Sequence, residues 1–313
     1  MPVRPPPLTD RAQRILFEGI IDYAGLFPPA SLTMSKAVRN YAHYRGGGAA
    51  WMLGRFICPA NALDQFSHHA EVLLPRDAGA IPWRLAAIGS AEVEADLIAI
   101  AAFNERHRVC FTEVGAMVDA YETRATSEAE VARLDAALPR DLVTYIEVPL
   151  TDASDMLIAA IAQVGRRVKL RFGGVTADAF PSSAQVAKAL AACVRHDVPA
   201  KATAGLHHPL RGAYRLTYED DAPVGSMFGF VNVFLATALL AAGGSADDAQ
   251  LLLVESDVTT FDFTEHSIAW RGAHGVHHFD RARLLRVRES VMTSFGSCSF
   301  TEPVEESRRL GIA

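Results

Sequence analysis

Short apolar runs and longer runs with helical periodicity alternate along this chain. Strand-like runs lie at residues 19–27, 49–60, 82–90, 109–117, 142–150, 166–174 and 198–206. Between them, 34–45, 62–74, 91–108, 127–138, 152–165 and 182–197 carry apolar residues at helical spacing. A first helix is expected over 8–19, with Thr9 as its cap, and a capping box is expected at Ser182 and Gln185. The repeat of roughly 24 to 33 residues is the length of a βαβ crossover and predicts a parallel sheet. The run 257–272 is read as the eighth strand, with a hairpin laid against the sheet as the alternative, and 281–296 as a final helix.

Eight such units predict an α/β protein of the (β/α)8 TIM-barrel class, with an N-terminal helix and a C-terminal extension. A doubly wound sheet is the competing arrangement, but no G-x-G-x-x-G follows any strand to mark a dinucleotide site. The whole of 1–313 is read as one barrel domain, with 1–8 disordered and 296–313 forming a C-terminal tail.

Charge changes this picture only locally. The formal net charge is −6 and the sequence pI about 6.0, so no global basic surface points to nucleic acid or to anionic membrane. The longest apolar run, 229–244, contains Asn232 and is too short to span a bilayer, and the first ten residues lack a signal-peptide core. A cytoplasmic protein is expected, and assembly into a homo-oligomer is left open. Cys58, Cys110, Cys193 and Cys298 form no C-x-x-C pair, which argues against a disulfide framework or structural zinc. Cys110 and Cys193 read as buried apolar residues, while Cys58 and Cys298 sit in loop-like contexts.

The candidate chemistry lies in charges embedded in strands. Strands of a parallel barrel are buried on both faces, so a charge there belongs near the carboxyl end, where the active-site mouth opens. The set is Asp22, Arg55, Glu113, Glu147, Lys169, Arg171 and Lys201. Alternation places Lys169 with Arg171 on one face, and Lys201 with Thr203 and Gly205 on another. Taken singly, each charge could be a buried salt bridge. As a set they predict a polar pocket, because isolated buried pairs bring little net stability. Gly173, Gly174 and Gly205 would let backbone approach an anion, and His207, His208 and Arg211 would add donors. A small anionic substrate is therefore expected. No metal site is assigned, a divalent ion on the adjacent histidines being the lesser alternative. His68, His69, His274, His277 and His278 read as surface residues of a helix and a loop.

The stretches "VKLRFGG" and "KATAGLHHPLR" resemble the sixth- and seventh-strand lysine motifs of class I, Schiff-base aldolases of the deoxyribose-phosphate aldolase type. The resemblance covers about 45 residues. It implies that Lys169 forms an imine and that Lys201 lowers the pKa of Lys169; no cofactor is expected. Glu147 or Glu113 would then serve as general acid and base. Leu170, Arg171 and Phe172 replace the small hydroxylic residues that follow the first lysine in that family. A phosphoribosyltransferase of the quinolinate type and a non-catalytic barrel binding a small anion are the two other classes that fit the same charges.

Overall fold

The alternating runs form a closed barrel of eight parallel strands in the computed structural model, which describes residues 11–77, 79–110, 113–150 and 154–313. The strands are β1 (Ile21–Tyr23), β2 (Leu53–Pro59), β3 (Trp83–Ile88), β4 (Ala116–Arg124), β5 (Val143–Val148), β6 (Arg167–Arg171), β7 (Ala200–Thr203) and β8 (Met292–Ser297). Each pairs with its neighbours in sequence, and β8 closes on β1 through Ile21–Phe295 and Tyr23–Ser297. The fold is thus the expected (β/α)8 barrel.

Helices α1 (Ala12–Phe17), α2 (Met34–Gly46), α3 (Leu63–Ala70), α4 (Val93–Arg106), α5 (Glu128–Ala137), α6 (Ser154–Gln163) and α7 (Ser183–Arg195) occupy the predicted intervals. The capping box at α7 is present: Ser182 Oγ accepts from the Gln185 amide, and the Gln185 side chain accepts from the Ser182 amide. The expected Thr9 cap and the segment 1–8 lie outside the described residues. The apolar run from 229 becomes α8 (Phe230–Ala241), buried along nearly its whole length against α7 and α9 (Ala246–Val254). A helix apolar all round is a core helix when, as here, it is covered on every side. Among the described residues no helix is long and apolar enough to cross a membrane.

Two strands differ from expectation. Residues 109–117 are not the fourth barrel strand: Arg108–Cys110 and Glu113–Val114 pair as a short antiparallel ribbon, and the barrel takes the longer Ala116–Arg124. Likewise 257–272 is not the eighth strand. Phe261–Phe263, Ser267–Gly272 and Gly275–Asp280 form a three-stranded antiparallel sheet outside the barrel, whose Ile268, Trp270 and Phe279 are buried. His277 and His278, expected in a loop, lie in its third strand. The predicted last helix stops at Ser290 as α10 (Arg281–Ser290), and the chain turns at Val291 (φ −125°, ψ −57°) into β8. Gly296 and Ser297 therefore belong to the barrel, and the expected tail contains α11 (Thr301–Arg309).

Inside the barrel Ile57, Ala86, Ala120 and Tyr145 form a small apolar layer, separate from the main core between barrel and helices. Side chains fill such a barrel in layers. Charges flank this one, and a bulge in β4 arranges them: Val118 pairs with Leu85 but Ala120 with Ala86, so Asp119 is an extra residue. An extra residue shifts the alternation by one, and it turns both Asp119 and Glu122 inward.

Candidate active site

A cavity of about 1210 Å³ opens at the carboxyl ends of the strands. It is lined by residues of seven strands and by Ala24 just after β1. Position and size fit the binding face of a (β/α)8 barrel.

Its floor is a chain of ion pairs. Register places Glu147 beside Lys169 and Lys169 beside Lys201 on three adjacent strands. Lys169 Nζ lies 2.9 Å from Glu122 Oε2 and 3.0 Å from Glu147 Oε2. Lys201 Nζ lies 2.6 Å from both Glu122 Oε1 and Asp22 Oδ2. Asp22 also accepts from the Ser294 hydroxyl at 2.8 Å and the Arg55 amide at 2.8 Å. Arg171 Nε closes the other end on Glu147 Oε1 at 2.7 Å. Three carboxylates thus face two amines and one guanidinium, so the floor carries no formal net charge.

Burial sets the electrostatics. For Glu122, burial favours the neutral acid, but Lys169 and Lys201 outweigh it and hold the carboxyl down at about 2. Asp22 is lowered against its burial by Lys201 and then Arg55, and Glu147 by Lys169 and Arg171. Burial would discharge Lys201, yet Asp22 and Glu122 reverse this and raise its pKa. Lys201 is accordingly a fixed cation, 1% exposed, while Lys169 is 6% exposed. Both touch the cavity.

The expected site residues divide. Glu147, Lys169, Arg171, Gly174, Lys201, Thr203, Gly205, His207 and His208 line the cavity together. Asp22 lies beneath it, as support for Lys201 rather than as a substrate contact. Arg55 is a correction. It stands near the amino end of β2, pairing with Asp119 at 2.6 Å below the apolar layer, and does not line the cavity. Arg211 is another: its guanidinium lies over the Phe228 ring, 4.6 Å from the centroid, outside the lining. Gly173 packs on the ring of Phe180, where an added Cβ would come within 2.3 Å, so its smallness serves packing. Gly205 is both cavity-lining and left-handed (φ +66°), a conformation that suits glycine. Glu113 lies in the ribbon and not on a barrel strand, and its side chain is outside the described residues. Glu122 takes the central carboxylate position instead. Its signal in the sequence is the unbroken nine-residue run after Gly115.

A second group stands on the cavity wall. His207, in the loop after β7, sets Nδ1 3.3 Å from Glu302 Oε2 of α11 and 3.8 Å from Cys298 Sγ. The Tyr218 hydroxyl lies 3.4 Å from the same sulfur and 3.3 Å from Glu302 Oε2. Burial works against a charged His207, but Cys298 and Glu302 raise its pKa to about 9. His208 is held apart, hydrogen-bonded to Glu306 at 2.8 Å and stacked flat on Tyr214. Gly212–Arg215 and Val224–Met227 form an antiparallel ribbon that brings Tyr214, Arg215 and Met227 to the mouth. Among the described residues no group of three or more His, Cys, Asp or Glu is arranged to hold a metal ion. Cys58, expected in a loop, is buried in β2, and Cys193 is buried in α7.

Comparison with protein-family models, curated proteins and solved structures finds no match.

Proposed function

We propose that the chain is a carbon–carbon lyase that forms an imine through Lys169 with a small carbonyl compound carrying a carboxylate or phosphate. The observation that carries this reading is the bridge Lys169–Glu122–Lys201: one carboxylate joins a cavity-facing amine to a more deeply buried one. Imine chemistry needs a nucleophilic amine with a proton acceptor at hand, and Glu122 and Glu147 both lie within 3.0 Å of Lys169 Nζ.

The steps follow from that geometry. Lys169 passes a proton to one of its carboxylates and its nitrogen adds to the carbonyl carbon, whose π pair moves to oxygen. The oxygen takes protons back and leaves as water, giving the iminium. The carbon–carbon bond one atom further out then breaks, its electron pair becoming the enamine, while a carboxylate takes the hydroxyl proton of the departing carbonyl fragment. Protonation of the enamine carbon and hydrolysis restore Lys169. Lys201, held charged by Asp22 and Glu122, keeps Glu122 ionised rather than acting as a nucleophile. Arg171, with Arg124 and Arg133 on the rim, supplies the guanidiniums that an anionic group would meet.

Borohydride reduction in the presence of a panel of aldehydes and ketones, followed by peptide mass spectrometry, tests the reading. A reduced adduct on Lys169, absent from Lys169→Met, is expected. Full turnover by a folded Lys169→Ala variant, or magnesium-dependent release of pyrophosphate with no adduct from any carbonyl tried, would remove the imine.

A further inference from the structure

The wall group is built from three regions far apart in sequence: the loop after β7, the chain between the ribbon strands, and the stretch that runs from the end of β8 into α11. Cys298 and Glu302 come from the C-terminal extension, which the imine mechanism does not use. Together they place a thiol, an imidazole 3.8 Å from its sulfur, a carboxylate 3.3 Å from that imidazole and a hydroxyl 3.4 Å from the sulfur. All four side chains line the cavity. The other described sulfurs have nothing comparable. Cys58 Sγ meets only the Pro59 carbonyl, and burial pushes both Cys58 and Cys193 up to about 12.

The geometry points to Cys298 as a second covalent centre of the cavity: a thiol that adds to the electrophilic carbon of an anionic carbonyl compound, with His207 as proton relay and Tyr218 as donor to the carbonyl oxygen. The choice of carbonyl ligand rests on the lyase reading above; the cysteine chemistry does not. In the addition the S–C bond forms, the C=O π pair moves to oxygen, His207 gives its Nδ1 proton to that oxygen, and the thiol proton replaces it on Nδ1. A thiohemiacetal results, and no oxidant or reductant is consumed. Glu302 lies against the relay nitrogen, and its contact there helps raise the His207 pKa to about 9. Tyr218 stays a donor, because partial burial and its neighbours Cys298 and Glu302 raise its pKa. His208 leaves this proton path free, since its Nδ1 is bonded to Glu306.

The test uses the full chain with bromopyruvate, an anionic α-haloketone, and iodoacetamide as the neutral comparison. Rates at each cysteine are read by peptide mass spectrometry near neutral pH. Cys298 should react at least about tenfold faster than Cys58 or Cys193, and bromopyruvate labelling should saturate and be slowed by pyruvate. His207→Gln should slow both reagents by about tenfold, and Tyr218→Phe should slow bromopyruvate more than iodoacetamide. Should His207→Gln prove unfolded by circular dichroism, Glu302→Gln on the outer helix serves in its place, with a several-fold slowing expected. Labelling of Cys298 no faster than of Cys58, or at the wild-type rate in the folded variants, overturns the proposal. Lys169→Met should still label at Cys298, and Cys298→Ala should still give the borohydride adduct on Lys169, so either reading can fail without the other.

Discussion

Asp119 and Glu122 stand three residues apart on one strand, both turned inward by the same bulge, and each binds two cations. Asp119 takes two guanidiniums, Arg55 and Arg84, at the amino end of the barrel, where Arg84 is half in solvent. Glu122 takes two amines on the cavity floor, where all three side chains are buried. A guanidinium never gives up its proton in a protein, so the first cluster can only strap β2, β3 and β4 together. An amine can lose its proton when its surroundings change, and only the second cluster faces a space where a ligand could change them. A charge within a barrel strand therefore does not by itself mark a site. The functional group and the end of the barrel it faces decide.

The largest effect should come at Lys201. Lys201→Met would leave Asp22 and Glu122 short of their shared, enclosed cation, and a loss of about 3–5 kcal/mol in urea unfolding is expected. Stability equal to wild type would make the two clusters alike. Lys169→Met should be milder, about 2 kcal/mol, because Glu122 keeps Lys201 and Glu147 keeps Arg171, yet this milder change should abolish the borohydride adduct.

Acid should separate the clusters next. The Glu122 carboxyl is depressed in the folded protein, so its contribution is complete above 4.5 and fades as pH falls toward about 2. The gap in thermal midpoint between wild type and Glu122→Gln should narrow across that window; a gap that stays constant would contradict the ion-pair account. Smallest of all, Arg84→Ala should cost under about 1 kcal/mol, since Arg84 is half exposed and Asp119 retains Arg55. A larger loss would mean that the amino-end cluster is as enclosed as the floor.

Much of this was legible in the chain, for reasons that also explain the rest. Lysines in mid-strand are rare unless paired or used, so Lys169 and Lys201 stood out, and adjacency of β6 and β7 did bring them together. The carboxylate between them was not legible. It depends on which of two neighbouring runs enters the barrel, and then on a bulge that moves the inward set by one residue; neither is local information. The sequence reads 292–296 as helix because α10 runs to within two residues of them, although Thr293, Ser294 and Gly296 are poor helix formers. The outer sheet imitated a barrel strand because its Ile268, Ala269 and Trp270 are buried in succession. His207 was found as a donor, but its thiol, carboxylate and phenol partners come from distant segments and meet only in the fold.

The seam of the barrel has a consequence for how the chain is made. β1 precedes every other barrel strand in the chain, yet its partner on one side, β8, ends at Ser297, after the outer sheet and α10 have been added. A nascent chain must therefore carry seven barrel strands with both outer edges unpaired until the eighth emerges from the ribosome. Contacts this far apart in sequence form slowly, and exposed edges invite pairing between chains. The antiparallel sheet and helices inserted before β8 lengthen that open interval, so closure of the barrel waits on the last of its strands.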